Sequence, residues 1–208
     1  MFCCHFFARK SKKWKGVLVL DRRLYDAVTA SPVIAAVKDM EGLEHCLAAE
    51  NIQVVFLLFG DIITIPGIVD RVKDAGKLVM VHTDLIAGLA SGKEVAVDYL
   101  KNATRADGIL STRPNFIRRA RELNLFTVLR IFMIDSMALA GISKLGHNHP
   151  DFIEIMPGVM PKTIRKICQI TDIPLLAGGL IADKEDVMAA LNAGALAIST
   201  TKQDVWEM

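Results

Sequence analysis

From Val33 onward, short apolar runs rich in β-branched residues return at a nearly constant interval. They are VIAAV (33–37), VVFLLF (54–59), LVMVH (78–82), DGILS (107–111), TVLRIF (127–132), FIEIM (152–156), PLLAG (174–178) and LAIST (196–200). Successive starts lie 21, 24, 29, 20, 25, 22 and 22 residues apart. Each interval holds one crossover helix and two short loops, with little to spare. Strands that are apolar throughout belong in a parallel sheet covered on both faces. Eight such units predict closure into an α/β fold, a compact (β/α)8 TIM-like barrel. An open doubly wound sheet is the alternative, but it usually has fewer strands and a dinucleotide glycine fingerprint, which is absent.

Two of the intervening helices are plain in the sequence. In RPNFIRRARELN (113–124), Phe116, Ile117, Ala120 and Leu123 form an apolar stripe opposite Arg118, Arg119, Arg121 and Glu122. In PKTIRKICQITD (161–172), Ile164, Ile167 and Cys168 are expected to face inward and Lys162, Arg165 and Lys166 outward. Pro114 and Pro161 fall where helix N-termini tolerate proline, and Gly76, Gly146 and Gly194 fall just past helix ends.

The net charge of +2 conceals an uneven distribution. Residues 1–23 carry seven basic side chains and one acid, whereas the remaining 185 residues have a net charge of −4. Residues 1–23 therefore read as a basic tail, disordered or lying upstream of the true start. Residues 24–208 read as a single barrel domain. A fold that bound nucleic acid by bulk charge alone would be more basic than this. The four cysteines form no CxxC pair and have no histidine at zinc spacing, so neither a disulfide framework nor a metal site is expected. No apolar run approaches the ~20 residues of a membrane span, and a cytoplasmic protein is expected.

In such a barrel, the strand C-termini and the loops after them build the site. After strand seven comes AGGLIADKEDV (177–187), a glycine pair leading to a helix with Asp183 as its expected N-cap. After strand eight comes ISTTKQDVW (198–206), with small hydroxyl residues before a short helix. Freed backbone N–H groups, hydroxyls and helix N-termini suit a phosphate dianion, which makes Gly178, Gly179, Ser199, Thr200 and Thr201 the expected phosphate loops. The other reading is a tight turn and a helix cap. Four ionisable side chains, His82, Asp84, Arg130 and Glu154, are expected at the same mouth. Charge in an apolar strand is costly unless paired or in contact with a polar ligand, so Arg130 and Glu154 either pair or touch ligand, or both. No catalytic set is convincing, and Lys38 is the one lysine near a strand end that could form a Schiff base.

Six segments in order resemble the glycerol-3-phosphate-responsive antiterminator family: MVHTDLIAGL (80–89), DGILSTRPNFIRRA (107–120), LRIFMIDSMAL (129–139), DFIEIMPGVMP (151–161), IPLLAGGLIADKEDV (173–187) and ALAISTTKQDVW (195–206). The resemblance runs from about Pro32 to Trp206. It implies a TIM-like barrel that regulates transcription antitermination rather than turning over a substrate. It also implies glycerol 3-phosphate as effector and the leader mRNA of glycerol-utilisation genes as partner, with no cofactor. The phosphate would sit on the two loops above, and His82, Asp84, Arg130 and Glu154 would face the glycerol. One departure is FLLFGDIITIPGIVDRV (56–72), which lacks the histidine-containing loop found after strand two in better-studied relatives. The chain thus resembles a divergent branch.

Arg118, Arg119 and Arg121, or Lys162, Arg165 and Lys166, are the candidate RNA contacts, a solvated helix face being the other reading of each. Two competing functions remain open from sequence. One is a barrel enzyme on a small phosphorylated metabolite, with Asp84 or Glu154 as base. The other is a phosphometabolite sensor that works through a protein partner. A homo-oligomer is also left open.

Overall fold

A computed structural model describes residues 22–89, 92–145 and 149–208. Most of the basic tail (residues 1–21) lies outside the described residues, as do Gly146 and His147. The described chain opens with α1 (Arg23–Ala30) and then alternates strand and helix. The order is β1 (Val33–Val37), α2 (Met40–Ala48), β2 (Val54–Leu57), α3 (Ile65–Asp74), β3 (Leu78–His82), α4 (Val95–Ala103) and β4 (Gly108–Ser111). It continues with α5 (Pro114–Glu122), β5 (Phe126–Phe132), α6 (Ser136–Ser143), β6 (Phe152–Met156), α7 (Pro161–Ile170), β7 (Leu175–Gly178), α8 (Lys184–Asn192), β8 (Ala197–Thr200) and α9 (Gln203–Trp206). Each strand pairs in parallel with the next and β8 pairs with β1, closing a (β/α)8 TIM barrel.

Side chains alternate across the barrel wall as the two-residue strand period requires. Ile34, Ala36, Val54, Phe56, Met80, Leu110, Val128, Phe152, Leu176 and Ala197 fill the interior. Their neighbours, such as Ala35, Val55, Val81, Ile109 and Leu129, pack outward against the helices. Leu24 and Val28 of α1 join the interior cluster, and Tyr25 stacks on Phe152 at 6.5 Å. α1 thus stoppers the N-terminal end of the barrel, leaving the C-terminal end as the accessible mouth.

Local signals explain the helix starts. Asp39, Asp135 and Asp183 each accept backbone N–H groups at the first turn of α2, α6 and α8. Pro114 and Pro161 open α5 and α7. Cys168 is half-buried rather than fully inward, and its Sγ donates to the Gly194 carbonyl at 3.4 Å. The run 54–59 gives a strand only to Leu57, after which the chain turns at Gly60 with φ +105°. Among the described residues no helix is long and apolar enough to cross a membrane.

Candidate functional site

Strand register brings His82, Arg130, Glu154, Gly178 and Ser199 to the last inward layer of the barrel. Arg130 is the partner of Glu154, and Gly178 of Ser199. Glu154 has no exposed surface and Arg130 only 7%. Arg130 Nε donates to Glu154 Oε2 at 2.6 Å, and Ser199 Oγ donates to Glu154 Oε1. The pairing expectation for Arg130 and Glu154 therefore holds. A buried ion pair repays its desolvation only when its remaining polar atoms are also satisfied, and Ser199 supplies that third contact. The Nη groups of Arg130 have no acceptor among the described residues, yet no buried side-chain polar atom is left without a partner. These donors therefore retain solvent access at the mouth.

Glycine is required where β7 crosses this cluster. A Cβ at Gly178 would stand 2.5 Å from Glu154 Oε1 and 2.6 Å from Ser199 Oγ. Gly179 follows at φ +75° and Leu180 at φ +62°, so two consecutive residues are left-handed. Leu180 is 74% exposed and borders an open apolar groove of about 390 Å³ lined by Phe132, Met133, Ile134, Met156, Pro157 and Gly179. A second recess, about 410 Å³, lies at the other end of the barrel, where Lys77 Nζ donates to the Ala49 and Ile52 carbonyls.

The hydroxyls after β8 have different tasks. Ser199 belongs to the Glu154 cluster. Thr200 Oγ1 donates to the Ile181 carbonyl at 2.7 Å and accepts from Lys202 N at 3.1 Å. Its carbonyl accepts from Trp206 Nε1 at 2.9 Å, so Thr200 ties α9 and the β7–α8 loop together. Thr201 is exposed.

On the opposite side of the mouth, Asp84 turns to its neighbours. Its carboxylate accepts Ser111 Oγ at 3.0 Å, Thr112 N at 2.7 Å and Thr112 Oγ1 at 2.9 Å. Arg113 Nε lies 3.4 Å away. Ser111 was legible as the end of the fourth apolar run but not as a partner of Asp84. The Asp84 N–H donates to His82 Nδ1 at 3.2 Å, which puts the proton of the neutral ring on Nε2. Burial, with the Arg130 charge acting in the same direction, pulls His82 down to about 4 against the opposing pull of Asp84. His82 is thus a neutral donor at neutral pH.

Neither carboxylate has the setting of a general base: Glu154 is sealed beneath Gly178, and Asp84 is surrounded by donors. Lys38 is exposed beyond β1 rather than buried in a pocket. Among the described residues no group of three His, Cys, Asp or Glu side chains is placed to hold a metal ion.

The two basic helix faces differ. Arg118 pairs with Glu94 at 2.8 Å, Arg119 with Asp98 at 2.5 Å and Glu122 at 2.8 Å, and Arg121 donates to the His149 carbonyl. Lys162, Arg165 and Lys166 are exposed, and their side chains have no ion-pair or hydrogen-bond partner among the described residues.

A (β/α)8 barrel with its polar and charged interior groups gathered at the C-terminal mouth is the class of molecule these features define. Residues 33–206 match the family described as the glycerol-3-phosphate responsive antiterminator, and the chain belongs to that family. It is 44% identical over 179 residues to the uncharacterised Escherichia coli K12 protein YgcP, covering 86% of this chain and 93% of that one. Among solved structures it resembles the glycerol uptake operon antiterminator regulatory protein of Listeria monocytogenes, at 33% identity and a TM-score of 0.79 over 84% of this chain and 94% of that one. It also resembles a glycerol uptake operon antiterminator-related protein of Thermotoga maritima, at 34% identity and a TM-score of 0.74 over 86% and 99% of the two chains. The family is one of regulators, and the chain is a regulator rather than an enzyme.

Proposed function

We infer that glycerol 3-phosphate binds at the β6–β8 side of the mouth and that the bound form acts on the leader mRNA of glycerol-utilisation genes to prevent early termination. The observation that carries this reading is the cluster of Arg130, Glu154 and Ser199 beneath a glycine loop whose backbone is open to the mouth. The phosphate takes N–H groups of Gly179 and Leu180 after β7 and of Thr201 after β8, a geometry that favours anions. Gly178 contributes by having no side chain. Ser199 holds Glu154 in place, and Thr200 holds the loop.

Arg130 Nη and His82 Nε2 are donors for the glycerol hydroxyls or the phosphate edge, while Asp84 shapes the mouth from outside the ligand. Regulation requires that the effector bind one conformation of the barrel better than another, since equal affinity shifts nothing. The loops after β7 and β8 are the segments that ligand would order.

The test is transcription in vitro from a template carrying the glycerol-operon leader and its terminator, with purified protein and RNA polymerase. Read-through should rise several-fold on adding glycerol 3-phosphate and stay at baseline with glycerol. Read-through unaffected by protein, although glycerol 3-phosphate binds, would remove the RNA part of this reading and favour a sensor acting through a protein partner.

A further inference from the structure

The flank formed by α6 and α7 carries basic side chains that form no ion pair among the described residues. Between Asp135 and Asp172 the only acidic residues are Asp151 and Glu154. Asp151 Oδ2 accepts both Thr127 N and Thr127 Oγ1 at 2.8 Å, and Glu154 is sealed in the barrel. Asp135 itself caps α6 by accepting from Met137 N and Ala138 N.

Lys162, Arg165, Lys166 and Gln169 stand at helical spacing on the outer face of α7, opposite buried Ile164 and Ile167, and Lys144 at the end of α6 is also exposed. α7 packs between α6 and α8. α8 does carry Glu185 and Asp186, but no ion pair joins them to α7, and Asp186 Oδ2 accepts from Ala182 N. Arg118 and Arg119 of α5, by contrast, are matched by Glu94, Asp98 and Glu122, and Arg121 donates to the His149 carbonyl.

We propose that the outer face of α7, with Lys162, Arg165 and Lys166 and supported by Lys144, is where the chain grips the phosphates of the leader transcript. This rests on the antitermination reading above and assigns it a surface. Unpaired cations attract a polyphosphate chain, whereas Arg118 and Arg119 would first have to give up their carboxylates and Arg121 its carbonyl. Ile170 is the only apolar side chain exposed on α7, so the face offers charge without an apolar wedge for lipid.

The face is also connected to the mouth. β6 carries Glu154, and the loop leading from β6 to α7 is pinned to the β7–α8 loop by Gly158 N donating to Gly179 O at 2.9 Å. An effector that orders the β7–α8 loop therefore acts one hydrogen bond away from the base of α7.

The test is filter binding of the full chain to leader RNA transcribed from the glycerol-operon promoter region, over a salt series, with and without glycerol 3-phosphate. The triple variant Lys162→Gln, Arg165→Gln, Lys166→Gln should bind at least tenfold more weakly. The slope of log affinity against log salt should become shallower by about 2 to 3, as three lost phosphate contacts imply. The control Arg118→Gln, Arg121→Gln should retain the parent's affinity within about threefold. Circular dichroism and glycerol 3-phosphate binding confirm that both variants are folded.

Parent-like RNA binding by the α7 variant, or loss confined to the α5 control, overturns the assignment while leaving the antitermination reading intact. A folded, effector-binding parent that fails to bind the leader overturns both. α7-dependent binding to phosphatidylglycerol vesicles but not to RNA replaces the transcript with a membrane.

Discussion

The two sides of the barrel mouth use similar residue types for different ends. At β3–β4, Asp84 is ringed by donors from the next β/α unit and staples the two strand ends together. At β5–β8, Glu154 is held by a single arginine and a single serine beneath a glycine that cannot be replaced without collision. The first arrangement is closed on itself. The second leaves guanidinium and backbone donors facing the mouth. A carboxylate at a strand end is therefore not by itself a ligand contact; what matters is how many of its neighbours' donors remain unused.

The contrast can be broken most forcefully at Arg130. Arg130→Met leaves Glu154 buried without its counter-charge and should lower stability to urea by about 3–5 kcal/mol. A loss under 1 kcal/mol would mean that Glu154 reaches water after all. Next comes the pH dependence of His82. Its folded pKa of about 4 lies below the usual 6.5, so the unfolded state takes up the proton more readily in this window. Its contribution is fully present above pH ~6.5 and is lost as pH falls toward ~4, amounting to roughly 3 kcal/mol. Denaturation midpoints of His82→Gln should lack this component of the slope, and an unchanged profile would move the acid sensitivity elsewhere.

Asp84→Asn sharpens the comparison from the other side. It should cost about 1–3 kcal/mol of stability by weakening several accepted hydrogen bonds, yet keep the Kd for glycerol 3-phosphate within about threefold. A large loss of affinity at parental stability would make Asp84 a ligand contact. The smallest effect is expected at Arg119→Gln, where half-exposed surface pairs with Asp98 and Glu122 are removed. Stability should drop slightly at low salt and converge with the parent as salt rises.

Much of the architecture was legible because its signals are local. The strand recurrence, the helix-opening Pro114 and Pro161, the Asp183 cap and the Gly76 and Gly194 turns each depend on a few adjacent residues. Arg130 and Glu154 were legible as a pair or as ligand contacts, and strand register makes them neighbours. The attachment of Asp84 to Ser111 and Thr112 was not legible, because those partners belong to the next strand's end and sequence gives no register for loops. The pairing of Arg118 and Arg119 was hidden for the same reason: Glu94 and Asp98 lie in the preceding β/α unit. Thr200 read as a phosphate hydroxyl because small hydroxyl residues at a loop serve ligands and loop ties alike.

The central claim is that the β7 and β8 loops hold glycerol 3-phosphate, and calorimetric titration tests it most directly. The parent should bind glycerol 3-phosphate selectively over glycerol and inorganic phosphate, and Gly179→Glu, folded by circular dichroism, should abolish the heat of binding by placing a carboxylate at the left-handed turn. Equal affinity in parent and variant, or no binding by the parent at millimolar ligand, would contradict it.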